Sequence, residues 1–197
     1  MASGTALLVI DMQSDIVEPG GPAAVAGAAG SITRIAALLE AFRRERLHVL
    51  HAQRAYQSDG SDVEKVRQKA FFESGGFLVE GSAGAAIVAE LRPVEKESVF
   101  TRPLWSAFQM TGLEATIAHR SIRRLVLAGA DLPDAVRATA YDALGLNLDV
   151  TVVRDGTASQ REDVHEANLA DLARVGVKVD TCLEVIREAT AGLLARP

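Results

Sequence analysis

The chain has 197 residues, 48% of them hydrophobic, 24% charged and 5% aromatic, with a formal net charge of −5. That length and mix support one sizeable core in a single domain spanning residues 1–197, and they exclude the disordered and fibrous classes. An acidic balance points away from nucleic acid, whose binders carry a basic stripe, and the single cysteine, Cys182, excludes an intrachain disulfide or a site built from several thiolates.

The first predicted element is Leu7-Leu8-Val9-Ile10, four apolar residues that make a short buried strand, with Asp11 directly at its carboxyl end. In an open parallel sheet the ligand crevice lies outside the carboxyl ends of the strands, so Asp11 reads either as a turn cap or as a chemical group. Ser14 to Pro22 is a turn-forming loop, and Ala24 to Ala29 is not assigned. Ser31 is placed as the N-cap of a helix through Glu45, because Ile32, Ile35, Leu38, Leu39 and Phe42 recur at helical spacing. Leu47 to His51 is a second strand. The polar, glycine-punctuated segment from Arg54 to Gly84, with a helix-like Val63 to Phe72, is long enough to be a lid or binding loop.

Ser98 to Thr101 is a third strand and runs into Arg102-Pro103-Leu104-Trp105-Ser106-Ala107-Phe108. Leu113 to His119 is a helix, Arg124 to Gly129 a fourth strand, and Ala135 to Leu144 a helix. Leu148 to Val153 is a fifth strand and Arg161 to Arg174 a helix. Gly176 to Val179 is a sixth strand, followed by a terminal helix to Leu194. Strands alternating with helices in this way predict an α/β fold: a doubly wound, mostly parallel six-stranded sheet with helices on both faces, in three Rossmann-like layers.

The sequence also sets limits on the chemistry. Asp11-Met12-Gln13 stands where a dinucleotide-binding glycine fingerprint would follow the first strand, so no such cofactor is expected. His48, His51, His119 and His165 show no His-x-His or His-Glu-x-x-His spacing, so neither a metal nor any other cofactor is expected. No apolar run approaches the roughly 20 residues that span a bilayer. Asp11 interrupts the first run too early for a secretory signal, which makes a cytoplasmic location the expectation.

Three stretches, in order, resemble the isochorismatase-like (cysteine hydrolase) superfamily. Leu7 to Gln13 is similar to its first strand, Arg102 to Phe108 to its Lys-containing segment ending in Ser-Ala-Phe, and Gly129 to Ala140 to its nucleophile turn. Val152 to Gly156 continues the match. The resemblance implies the same doubly wound fold and an Asp, Lys and Cys that act together on an amide or similar carbonyl, beside a non-proline cis peptide. Asp11 matches the Asp. Arg102 stands at the Lys position, and Ala135 stands at the Cys position, where no covalent intermediate can form.

One branch of that superfamily resembles this chain in lacking the nucleophile, and its Asp protonates a vinyl ether as a general acid. The resemblance therefore implies a cysteine-independent hydrolase that uses Asp11 for acid–base chemistry on a small carboxylated metabolite. The other reading is an inactive family member that serves as a ligand-binding or partner subunit. A guanidinium beside Asp11 would favour its charged form, against a proton-donating role; Arg102 either pairs with Asp11, clamps a substrate carboxylate or is structural. Gln13 holds either a ligand or its loop, Trp105 lines the pocket or packs in the core, and Phe108 packs beneath it. Asp131 and Leu132 fall where the resemblance places the cis peptide. Asp131 is either a second acid beside Asp11 or a solvent-facing turn residue. Cys182 reads as a small buried hydrophobe. The expected partners are a small carboxylated molecule and, from the family habit and the Ala-rich helices, further copies of the chain in a dimer or tetramer, with no nucleic acid and no membrane.

Overall fold

The computed structural model describes residues 4–194. In chain order the elements are β1 (Thr5–Ile10), α1 (Ser14–Val17), α2 (Ala28–Arg44), β2 (His48–Arg54), α3 (Lys65–Glu73), β3 (Ser98–Arg102), α4 (Leu113–His119), β4 (Arg124–Gly129), α5 (Arg137–Gly145), β5 (Asp149–Thr157), α6 (Glu162–Arg174), β6 (Lys178–Asp180) and α7 (Cys182–Thr190). The six strands form one sheet in the order β3-β2-β1-β4-β5-β6, and every neighbouring pair is parallel.

A parallel sheet needs both faces covered, and the period-two alternation of the strands supplies two cores. Leu7, Val9, Val49, Val126, Ala128 and Val153 face one way and pack under α2 and α7 through Ile35, Leu38, Phe42, Val185 and Ala189. Ala6, Leu8, Ile10, Leu50, Leu127 and Val152 face the other way, against α4, α5 and α6 through Ile117, Ala143, Leu169 and Leu172. A one-residue slip of β1 would exchange these two sets, so its register is fixed by packing. No helix among the described residues is long and apolar enough to cross a membrane.

Several elements differ from the sequence expectation. Ser31 does not cap α2, which begins at Ala28; the Ser31 hydroxyl instead donates to Ala28 O inside the first turn. The helix expected from Ala135 begins as a single π-helical turn, Leu132–Val136, and becomes regular only at Arg137. β2 and β5 run three and four residues further than their apolar stretches, to Arg54 and Thr157. Their polar ends are admitted because they find partners: buried His51 meets Glu97 Oε2 at 2.9 Å, and the Arg54 amide donates to Gln13 Oε1.

The strand order reverses direction between β1 and β4, which places the switch point of the sheet there. Such a crevice is where ligands bind in this architecture. Asp11 follows β1 on one side of it and Ala130-Asp131 follows β4 on the other. Gly129 allows the two ends to meet: it has φ +126, and a Cβ built there would lie 2.0 Å from Ile10 O. The adjoining Ala130 amide donates to the same Ile10 carbonyl at 3.0 Å.

Candidate active site

Asp11 leaves β1 with φ 54, a left-handed conformation uncommon outside glycine, asparagine and aspartate. Its amide donates to Ala52 O across the β1–β2 pair, and its carbonyl accepts from Gln13 N. This bend takes the carboxylate off the sheet and toward the end of β3. Arg102, at that end, meets it as a two-pronged pair, Nη1 to Oδ1 at 2.7 Å and Nη2 to Oδ2 at 2.9 Å. Arg102 is 1% exposed and Asp11 2% exposed. Arg102 Nη2 also donates to Trp105 O at 3.0 Å, whereas its Nε is buried without a partner among the described residues. Of the three sequence readings of Arg102, the geometry is the pairing with Asp11, which engages both Nη1 and Nη2.

A second guanidinium lies close by. Arg54 Nε is 3.8 Å from Asp11 Oδ2, and its Nη1 donates to Glu64 Oε1 at 3.0 Å and to Tyr56 Oη at 3.1 Å. The Tyr56 hydroxyl donates to Glu64 Oε2 at 2.6 Å. Burial pushes the Tyr56 phenol up to about 12, with the Glu64 hydrogen bond acting in the same direction and Arg54 opposing it. Burial weakens the Arg54 cation, but Asp11, Tyr56 and Glu64 together more than offset that, and its pKa lies above the ordinary arginine value.

The β4 side supplies a different carboxylate. The peptide bond between Ala130 and Asp131 is cis, so it precedes Asp131 instead of involving Leu132. Leu132 N donates to Ala158 O, and Val136 N donates to Asp131 O, which fixes the turn. Asp131 Oδ1 is buried without a hydrogen-bond partner among the described residues. Burial, reinforced by the charge of Asp134, lifts the Asp131 carboxyl to about 6; the Ser159 hydroxyl, the Leu132 amide and Arg67 pull the other way. A carboxyl so placed exchanges its proton close to neutral pH.

Asp11, Arg54, Arg67, Asp131, Asp134 and Ala135 share the walls of one cavity of about 390 Å³. Arg67 comes from α3, in the middle of the long excursion. Its Nη2 donates to Asp134 Oδ2 at 3.2 Å, and its guanidinium lies 4.4 Å above the Trp105 ring. Arg54 lies 5.3 Å from the same ring. Trp105 therefore holds the two cavity arginines from behind and is not itself part of the wall. The α3 end of the excursion is anchored by Phe71 and Phe77, each 5.9 Å from Tyr56 in edge-to-face contact.

The other sequence candidates are placed elsewhere. Gln13 is fully buried; its amide donates to Arg54 O and Ala85 O, both at 2.7 Å, while its oxygen accepts from Arg54 N. It braces β1 to β2 and to the end of the excursion. Phe108 packs against the α4–α6 core and Leu132 lies within it. Ala135 is 1% exposed and presents only a methyl group to the cavity. Cys182 sits at the start of α7 with its thiol pushed far up by burial and by Asp155, so it is no nucleophile. Arg54, Arg67 and Asp134 did not emerge from the sequence as site residues: Arg54 ends a strand whose predicted stretch stops at His51, Arg67 lies on the excursion, whose path carries no local signal, and nothing in the turn after β4 singles out Asp134.

Comparison with known proteins bears on this arrangement. A family model for the isochorismatase domain matches residues 5–182. A probable inactive nicotinamidase of Arabidopsis thaliana is 33% identical over 91% of this chain and 93% of its own. A maleamate amidohydrolase of Pseudomonas putida is 31% identical over 85% of this chain and 78% of its own. Among solved structures, an isochorismatase family protein of Desulfovibrio vulgaris is 40% identical, with a TM-score of 0.90 over 98% of this chain and all of that one.

Proposed function

The chain belongs to the isochorismatase family of hydrolases, and we propose that it is a cysteine-independent member acting on a small carboxylate by acid–base chemistry, with Asp131 as the proton donor. The observation that carries this reading is the pair of unlike carboxylates in one cavity. Asp11 is tied at both oxygens into an ion pair, whereas Asp131 has a buried, unpartnered oxygen and a carboxyl raised to about 6. A buried carboxyl raised toward neutral pH is placed to give up a proton to a substrate. Sequence reasoning gave the acid role to Asp11; with its oxygens engaged by Arg102, the role passes to Asp131, and Asp11 stays paired with Arg102.

Vinyl ethers suit this arrangement. The Asp131 proton goes to the terminal vinyl carbon, and positive charge develops on the ether carbon and oxygen. Water adds to that carbon, the resulting hemiketal expels the alcohol, and a keto acid remains; one water proton returns to Asp131. With a carboxyl near 6, about a tenth of the molecules carry the proton at pH 7. Arg67, held against Trp105 and paired with the partly exposed Asp134 and, at 4.0 Å, with Glu64, is the group that takes the substrate carboxylate. The P. putida relative is named for maleamate, itself a small carboxylate.

The test compares wild type, Asp131→Asn and Asp11→Asn by mass spectrometry of products from isochorismate-type vinyl ethers, small amides and ureido acids. Release of a keto acid and an alcohol by wild type, reduced about 10²- to 10⁴-fold in Asp131→Asn, supports the reading. Undiminished turnover in Asp131→Asn removes Asp131 from the chemistry. A second reading, a binding or partner subunit without turnover, is favoured by the bare methyl of Ala135 and by the name of the A. thaliana relative. Carboxylate binding with no turnover of any substrate class would select it.

A further inference from the structure

The first two turns of α6 bring together three groups that the proposed chemistry does not use. Glu162, His165 and Glu166 each offer one ligand atom, and these atoms all lie within 4.8 Å of one another. They border a separate cavity of about 480 Å³ beyond the carboxyl end of β5.

His165 is 7% exposed, so its ring is held largely by the protein, and the partners of its two nitrogens fix its tautomer. Nε2 lies 3.1 Å from Thr157 Oγ1. The Thr157 hydroxyl proton is already directed at the carbonyls of Val153 and Arg154, at 3.0 and 3.1 Å. Its oxygen therefore accepts, Nε2 carries the hydrogen, and in the neutral imidazole Nδ1 presents a lone pair. That lone pair has no hydrogen-bond donor among the described residues; what faces it is Glu166 Oε1 at 3.9 Å. A lone pair facing carboxylate oxygens is repulsive, and a cation placed between them converts repulsion into coordination. Glu166 Oε2 is held by Arg154, which leaves Oε1 turned to the histidine.

We infer that Glu162, His165 and Glu166 bind a divalent first-row transition ion through His165 Nδ1 and one oxygen of each glutamate. One imidazole with two carboxylates suits Zn²⁺ or Mn²⁺, whereas Ca²⁺ and Mg²⁺ favour all-oxygen sets. The Thr157 hydroxyl on the far ring nitrogen is the outer contact that fixes tautomer and ring orientation in metal-binding histidines. The site shares no residue with the cavity of the acid–base reading and stands independently of it.

Isothermal titration of chelator-treated protein with ZnCl₂ tests the assignment. The expected result is saturable binding of one equivalent, at least tenfold weaker in Glu162→Gln and lost in His165→Gln. Asp163→Asn is the control: that carboxylate lies on the same turn but is paired with Arg161, and binding should be unchanged. X-ray absorption at the zinc edge should show an imidazole ligand in wild type. Glu162 is exposed, so its variant remains informative if the histidine variant fails to fold. Absence of saturable binding, equal weakening in Asp163→Asn, or a zinc environment without imidazole would each overturn the site.

Discussion

Arg102→Met removes the guanidinium that neutralises Asp11 and keeps most of the side-chain volume. The pair is almost wholly inaccessible, with two hydrogen bonds at 2.7 and 2.9 Å, and breaking a buried pair from one side costs about 3–5 kcal/mol because it leaves a charge uncompensated. Arg54 at 3.8 Å gives Asp11 a partial substitute, which sets the expectation at the lower end, about 3 kcal/mol. For a chain of this length that is a fall in Tm of about 6–12 °C. Asp11→Asn leaves Arg102 in the complementary predicament, while asparagine accepts the left-handed φ of 54 found at this position. In Asp11→Asn/Arg102→Met neither charge is orphaned, so the double variant should be more stable than the sum of the singles predicts, by about 2 kcal/mol. Urea unfolding of the four proteins gives the cycle. Additivity within about 0.5 kcal/mol, or a loss below about 1 kcal/mol in Arg102→Met, would refute a coupled buried pair at this position.

Asp131→Asn should stabilise the fold at neutral pH. The folded-state carboxyl is raised from 3.8 to about 6, so the folded chain binds more protons and wild-type stability falls as pH rises from about 4 to 6. Above that window the cost is complete, of order 2 kcal/mol after allowance for partial solvent screening. Urea midpoints of the two proteins should therefore converge at pH 4 and separate above pH 6; parallel curves would contradict the raised carboxyl. Gly129→Ala forces a methyl to within 2.0 Å of Ile10 O, and its soluble yield and far-ultraviolet dichroism should fall to those of an unfolded chain; a cooperative transition near the wild-type Tm would contradict this close approach. Arg67→Gln should weaken binding of maleate in calorimetry at least tenfold while shifting Tm by no more than about 2 °C, since its ion pair is partly exposed. Unchanged affinity would remove Arg67 as the carboxylate contact. Cys182→Ala should leave any turnover intact, as its thiol is buried away from the cavity.

The sheet was legible because the central strands bury both faces, and unbroken apolar runs such as Leu7 to Ile10 and Leu125 to Ala128 have few other uses. Strand ends were less so. Gln53 and Arg54 look like loop residues until Thr101 and Gln13 arrive from distant parts of the chain to satisfy them. Ser31 read as a cap from residue type alone, but the small residues before it allow α2 to start a turn earlier. The candidate site divides along the same line. Asp11 directly follows a strand and was placed by topology, whereas Asp131 and Ala135 were placed by the resemblance of the turn after β4 to a family motif. Arg54 reaches the cavity from the polar end of β2, and Arg67 through the fold of the excursion, which aromatic contacts among Tyr56, Phe71 and Phe77 determine and no local periodicity encodes.

The stacking of Arg54 and Arg67 against Trp105 gives the protein an internal optical reporter. Trp105 is the single tryptophan of the chain, so emission excited selectively at its absorption edge comes from one indole whose neighbours are the two cavity guanidiniums. An anion that draws Arg67 off the ring changes the charge above the indole and therefore its emission energy. Occupancy of the cavity can thus be followed as a spectral shift in the unlabelled protein, across a library of candidate acids, before any reaction is known.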